Sequence, residues 1–160
     1  MTADYDVIVV GAGNAALCAA LAARERCEKV LVLERANEDE AGGNSRFTAG
    51  LFRIVYNGVD DLRQLIPDLT EQEVASTDFG DYTEEKFLDD LGRLTEYRCD
   101  PDLSELLVRR SFPTVHWMRT KGVRFTAAWG RQAFKLDGRF KFWGGLTLEA
   151  VGGGPGLVQS

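Results

Sequence analysis

The sequence has few cysteines, few prolines and no long apolar run, and each scarcity excludes a class of protein. Its three cysteines include no CxxC pair, which argues against a disulfide-linked fold and a zinc site. The longest apolar runs are the length of a strand, so no transmembrane helix is expected. With 44% apolar and 28% charged residues, the chain is typical of a globular protein and not of a disordered or collagen-like one.

Negative charge predominates, with a net charge of −6 and a sequence pI near 4.9. This balance argues against nonspecific binding to nucleic acid and to anionic membrane surfaces. Asp4 and Asp6 stand where a signal peptide would be basic. We therefore expect a cytoplasmic protein without membrane insertion, nucleic-acid partner or metal site.

The first 34 residues have the pattern of a strand, a helix and a second strand. Tyr5 to Val10 and Val30 to Leu33 are short apolar runs, as in parallel strands that are covered on both faces. Asn14 to Arg26, between them, is rich in alanine, which favours a helix that lies close to a sheet. These residues predict a βαβ unit whose helix begins above the carboxyl end of the first strand.

A glycine-rich turn joins the first strand to this helix. Residues 11–16 read Gly-Ala-Gly-Asn-Ala-Ala, the GxGxxA form in which small residues admit a pyrophosphate to the helix N-terminus. Glu34 ends the second strand, where a carboxylate can accept both hydroxyls of a ribose. The pattern predicts a dinucleotide site, and glutamate disfavours the 2′-phosphate of NADP, which leaves NAD and FAD.

A second glycine-rich stretch follows the ribose acid. Residues 42–50 read Gly-Gly-Asn-Ser-Arg-Phe-Thr-Ala-Gly within a segment, 35–59, that is predicted to be a long ordered loop. Its backbone N–H groups and polar side chains suit phosphates or a flat ring, and this stretch is the feature that decides between NAD and FAD.

The remaining residues predict a helical segment and then a β-hairpin. Thr83 and Asp100 are expected to cap two helices, the second reaching Lys121 with Pro113 kinking or interrupting it. Around Asp137-Gly138 we favour a three-residue hairpin loop that places Lys135 opposite Lys141. The last residues, 152–160, are predicted to be a turn before a helix that does not form within the chain.

The runs VVGAGNAALCAA, VLVLE and GGNSRFTAG resemble the flavoproteins of the succinate dehydrogenase and fumarate reductase superfamily. Downstream runs such as GRQAFKLDGRFKFWGGL resemble its tricarballylate dehydrogenases, some relatives of which are named precorrin-3B synthase flavoproteins. The resemblance implies an α/β, FAD-binding Rossmann-like fold, here an incomplete N-terminal portion with a helical insertion and a β-hairpin. The expected divisions are 1–59 for the βαβ unit and flavin loop, 60–122 for the helical segment, and 123–160 for the hairpin and the start of a truncated remainder.

The resemblance also implies FAD, bound noncovalently because the loop has no histidine for covalent attachment. The residues to which it assigns cofactor binding are Gly11, Gly13, Asn14, Ala15, Glu34, Arg35, Gly43, Asn44, Ser45, Thr48, Ala49 and Gly50. It implies hydride transfer to flavin N5 from a small polycarboxylate, such as tricarballylate, with an electron-acceptor protein as partner. The catalytic acid and base are expected beyond Ser160. A flavoprotein of precorrin oxidation and a non-catalytic nucleotide-binding fragment are the alternatives.

Basic residues cluster around the predicted hairpin. Arg131, Lys135 and Lys141 are either an anion-attracting surface near the substrate entrance or a solvated strand face. His116, the only histidine, is interpreted as a packed helix residue. The three tryptophans, Trp117, Trp129 and Trp143, are interpreted as core or interface residues.

Overall fold

The computed structural model describes residues 4–160, so the first three residues of the predicted 1–59 segment lie outside it. The chain opens with strand β1 (Val7–Val10), helix α1 (Asn14–Arg24) and strand β2 (Val30–Leu33). β1 and β2 pair in parallel, with Val7 opposite Val30 and Val10 opposite Leu33. The predicted βαβ unit is confirmed.

The segment 35–59, predicted to be a long ordered loop, is ordered but also contains short regular elements. Residues Gly43–Arg46 form one helical turn, α2, and Leu51–Phe52 form strand β3. Gly42 and Gly43 have φ values of 117° and 54°, in the left-handed region that favours glycine. This backbone lets the chain enter α2 directly from the preceding bend.

The helical segment comprises α3 (Val59–Leu65), α4 (Glu71–Ser76), the two-residue strand β4 (Thr77–Asp78), α5 (Glu84–Leu94) and α6 (Pro101–Thr120). Both predicted caps are confirmed, because Thr83 accepts from Lys86 N and Asp100 accepts from Leu103 N. α6 runs through Pro113 without interruption. Proline removes one backbone hydrogen bond from the helix, but the burial of Val115 and Met118 in the core outweighs this loss.

The last forty residues form strands β5 (Phe125–Ala127), β6 (Ala133–Leu136), β7 (Arg139–Phe142) and β8 (Leu148–Ala150), and then helix α7 (Gly153–Gln159). The prediction that no helix follows the glycines is therefore wrong: Gly152, with φ 83°, turns the chain, and Leu157 anchors α7 in the core. β8 lies between β3 and β5, while β7 lies between β4 and β6. The helical segment and the hairpin therefore share a sheet.

The hairpin has a two-residue loop, so the favoured three-residue register is wrong. Lys135 pairs with Phe140 and Phe134 pairs with Lys141. Asp137 and Gly138 have φ values of 50° and 81°, the backbone of a type I′ turn, whose twist matches that of paired strands. The turn chemistry determines the register here, because β6 and β7 carry aromatic residues on both faces.

The hydrophobic core lies between the helical segment and the β3–β8–β5 sheet, around the fully buried Ile54, Leu62, Leu65 and Leu148. The β1–β2 sheet differs from expectation. α1 packs on one face of it, but Ile8 is 56% and Val10 is 81% exposed among the described residues. Within residues 4–160, no helix combines the length and the apolar character needed to cross a membrane.

Candidate functional site

The turn between β1 and α1 follows the predicted glycine pattern. Gly11 has φ 103°, and its N–H donates to the carbonyl of Leu33 at 2.6 Å, which joins the ends of the two strands. A Cβ on Gly13 would lie 3.5 Å from the carbonyl oxygen of Gly42. The turn therefore packs directly against the second glycine-rich stretch.

The N-terminus of α1 presents backbone donors to the outside. The N–H of Asn14 donates to the Ser45 hydroxyl at 2.9 Å, and the helix has no capping side chain on Gly13. The N–H groups of Gly13, Ala15 and Ala16 have no acceptor among the described residues. Free N–H groups at the positive end of a helix dipole match the oxygen atoms of a pyrophosphate. This donor set fits the phosphates of a dinucleotide.

Glu34 lies across the same turn. Its carboxylate accepts from Ala12 N at 2.7 Å, from Arg35 N at 2.7 Å and from Ala36 N at 2.8 Å. These backbone hydrogen bonds, led by that of Ala36, hold the pKa of Glu34 below its ordinary value. The carboxylate is therefore ionised, exposed and positioned beside the turn. The ribose contact predicted for Glu34 and Arg35 stays a prediction.

The loop of residues 42–50 lies against this turn, and we call it the flavin loop after its predicted role. Gly43 and Asn44 are exposed. Thr48 donates its hydroxyl to the carbonyl of Ser45 at 2.9 Å and accepts from Gly50 N at 3.2 Å. Ser45 accepts from α1 and has a hydroxyl hydrogen without an acceptor among the described residues. The fold thus brings together the turn, Glu34 and the flavin loop, as the cofactor prediction requires.

Helix α7 packs against the flavin loop, a contact that the sequence did not predict. The N–H of Gly154 donates to the carbonyl of Thr48 at 3.0 Å. A Cβ on Gly50 would lie 2.8 Å from the carbonyl carbon of Gly153, so the two backbones touch. The signal in the sequence was the run of glycines at 152–154, whose partner more than 100 residues earlier cannot be identified from spacing.

A polar network fixes the chain where it leaves the flavin loop through β3. Arg53 donates to the Tyr82 hydroxyl at 2.7 Å and to Asp90 at 3.2 Å. Tyr82 donates to Asp90 at 2.7 Å. Burial, and then this hydrogen bond to a carboxylate, raise the pKa of Tyr82 to about 12. The strand that leaves the flavin loop is thereby tied to α5.

The three basic residues predicted to attract substrate are on and beside the hairpin, in a different sheet from β1 and β2. Arg131 forms an ion pair with Glu149 at 3.6 Å, and Lys141 forms one with Asp78 at 2.9 Å. Lys135 lies over the Phe140 ring at 4.9 Å. Two of the three charges are thus compensated by the chain's own acids, and their substrate role stays a prediction.

Other singled-out residues have structural surroundings. His116 stacks on Phe112, and Trp129 lies in an aromatic cluster with Phe79 and Phe142. The neighbouring Ser104 and Thr95 hydroxyls hold the pKa of the Cys99 thiol below its ordinary value. Across residues 4–160, no group of three His, Cys, Asp or Glu side chains is placed to hold a metal ion.

Comparison with known proteins agrees with this geometry. The model of the FAD binding domain family matches residues 6–147. A vinyl phenol reductase from Lactiplantibacillus plantarum is 31% identical over 124 residues, which are 76% of this chain and 21% of that protein.

Two solved structures share the fold. The open conformation of a flavocytochrome c3 fumarate reductase matches with a TM-score of 0.63 and 24% identity, over 97% of this chain and 24% of that one. The 3-ketosteroid delta1-dehydrogenase from Sterolibacterium denitrificans matches with a TM-score of 0.60 and 23% identity, over 91% of this chain and 23% of that one. The chain therefore spans about a quarter or less of the length of these relatives.

Proposed function

The chain belongs to the FAD binding domain family, and we propose that it forms the cofactor-binding part of a flavin-dependent dehydrogenase acting on a small polycarboxylate such as tricarballylate. The relatives named above are a fumarate reductase, a vinyl phenol reductase and a 3-ketosteroid dehydrogenase, so oxidoreductase chemistry with FAD is common to the group. The substrate class, the intact enzyme's activity and an electron-acceptor protein as partner are the parts we propose.

The observation that carries the proposal is the set of free donors where three backbone segments meet. The N–H groups of Gly13, Ala15 and Ala16 point out of the start of α1 and would hold the pyrophosphate. Glu34, ionised beside them, would hold the ribose through its oxygen atoms. The flavin loop lies against the same turn and would line the remainder of the cofactor.

Bound FAD supplies the hydride acceptor, and the chain's residues supply position and charge. The positive end of α1 offsets the negative charge of the phosphates. Ser45 connects α1 to the flavin loop, so the two binding surfaces keep one relative position. No acid or base for the substrate's proton is assigned to residues 4–160. The only histidine, His116, stacks on Phe112 in α6, which supports noncovalent attachment of the flavin.

The polycarboxylate is supported by the resemblance to tricarballylate dehydrogenases and by the likeness to a fumarate reductase, whose named substrate is a dicarboxylate. A second candidate is an uncharged substrate with a carbon–carbon double bond. It is favoured by the vinyl phenol reductase and by the ion pairs that Arg131 and Lys141 form within the chain.

Two measurements test the proposal. The purified chain mixed with FAD is expected to retain a yellow flavin with an absorption band at about 450 nm, the usual flavin band. A colourless protein after removal of free FAD would contradict the cofactor site. In the enzyme expressed from its complete reading frame, tricarballylate added without oxygen is expected to bleach that band. If only 4-vinylphenol reoxidises the chemically reduced flavin, the second candidate replaces the first.

A further inference from the structure

We propose that helix α7 sets the position of the flavin loop and that Gly154 is the positioning residue, because a side chain there would displace the loop. The inference rests on the proposed function, in which this loop lines FAD. The residues of α7 lie about 110 positions after the loop, and they are not among the residues of the glycine turn or the ribose acid that are predicted to bind the cofactor.

The backbone of α7 lies closer to the flavin loop than any side chain would permit. A Cβ built on Gly154 would lie 2.2 Å from the carbonyl oxygen of Ser45, 2.6 Å from that of Arg46 and 2.7 Å from that of Thr48. Ordinary contacts begin near 3.4 Å, so the loop would have to move by about 1 Å. All three clashing atoms belong to backbone, which cannot rotate away as a long side chain can.

Residues on both sides of Gly154 also lie close to the flavin loop, so α7 contacts the loop along its length. Gly50 meets Gly153 backbone to backbone, and a Cβ on Gly42 would lie 2.9 Å from a methyl carbon of Val158. Gly154 itself donates its N–H to Thr48 at 3.0 Å. α7 therefore contacts the beginning, the middle and the end of the loop.

Displacement of the loop would reach the phosphate cradle through Ser45. The carbonyl of Ser45 is the atom nearest to the Cβ that an alanine at 154 would carry, and the hydroxyl of Ser45 accepts from Asn14 N at 2.9 Å. A shift of about 1 Å lengthens that hydrogen bond beyond its normal range. A change at Gly154 is therefore expected to alter the position of the backbone donors at the start of α1.

The test is Gly154→Ala in the 160-residue chain, measured with and without FAD. Without FAD, hydrogen exchange of residues 42–50 is expected to accelerate at least about tenfold, while the exchange of α5 stays as in the wild type. With FAD, the dissociation constant is expected to rise about tenfold, and the visible spectrum of the bound flavin to shift. Val158→Ala removes the contact with Gly42 without adding atoms and is expected to raise the dissociation constant about threefold.

Two controls separate positioning from general instability. Gly130→Ala adds the same methyl group at a glycine that has nothing within 4 Å and no left-handed backbone, so it should match the wild type. Val108→Ala weakens the packing of α6 in the core, away from α7, and should lower the melting temperature, while folded molecules keep the wild-type flavin spectrum.

Wild-type loop exchange, flavin spectrum and affinity in Gly154→Ala would overturn the proposal. So would an identical change of spectrum in Val108→Ala, since a general loss of stability would then explain both. If Gly154→Ala does not fold, Val158→Ala decides: a rise of about threefold in the FAD dissociation constant supports the proposal, and wild-type affinity overturns it. If the wild-type chain fails to bind FAD, the proposed function fails, whereas the exchange of residues 42–50 without FAD still decides whether α7 positions the loop.

Discussion

Replacing Ser45 with alanine tests whether the flavin loop and the start of α1 act together. The Ser45 hydroxyl accepts the N–H of Asn14 at 2.9 Å, in the manner of a helix cap contributed from another segment. Loss of a capping oxygen typically costs about 1 kcal/mol, which for a chain of this length lowers the melting temperature by about 2–4 °C. The same hydroxyl carries the hydrogen that could donate to a phosphate oxygen, and losing a hydrogen bond to a charged group should weaken FAD binding about tenfold.

Urea denaturation without FAD measures the stability loss of Ser45→Ala, and fluorescence titration with FAD measures the affinity. Ser76→Ala is the matched control, because it removes an exposed hydroxyl that donates to the carbonyl of Glu73 in α4, away from the site. It should leave FAD affinity unchanged. If Ser45→Ala retains both wild-type stability and wild-type affinity, the hydroxyl neither caps α1 nor faces the cofactor, and the reasoning is refuted.

Two further predictions concern ionisable groups. Backbone N–H groups hold the pKa of Glu34 below its ordinary value, so the carboxylate stabilises the turn fully above the pKa of the unfolded chain and loses this effect as pH falls through the lowered pKa of the folded chain. Glu34→Gln should abolish this part of the acid denaturation profile. An unchanged profile would contradict the prediction. With its pKa raised to about 12, Tyr82 should lose its stabilising effect as pH rises towards that value. Tyr82→Phe should cost about 1–3 kcal/mol at neutral pH in urea denaturation, and a cost near zero would show that Arg53 and Asp90 hold β3 without it.

Local signals in the sequence identified much of the fold. The apolar run Val30–Leu33 is the observed β2, and Thr83 and Asp100 cap the helices that follow them. The glycine turn between β1 and α1 has its predicted place because strand, turn and helix are neighbours along the chain. Each of these features depends on contacts within a few residues, which a sequence pattern records directly.

The hairpin register and the contact of α7 with the flavin loop were predicted less well, for different reasons. The hairpin register follows the Asp137-Gly138 turn, whereas the apolar pattern of β6 and β7 is ambiguous because Phe134 and Phe140 lie on opposite faces. The close contact of Gly154 with the flavin loop has no counterpart in local sequence, since a glycine at a helix start is also typical of an ordinary turn. The partner of such a glycine is visible only in the folded chain.

The candidate site is built largely from backbone groups, and this determines how its parts depend on one another. A backbone N–H binds phosphate only where the fold has left it without an internal acceptor, as at Ala15 and Ala16. Those donors keep their positions because the flavin loop caps Asn14 and α7 supports the loop. A ligand that binds only this folded arrangement stabilises all three segments together, by about 2.7 kcal/mol at a hundredfold excess over its dissociation constant. Cofactor affinity and the stability of α7 are therefore two measures of one arrangement, although the helix and the glycine turn are separated by about 140 residues.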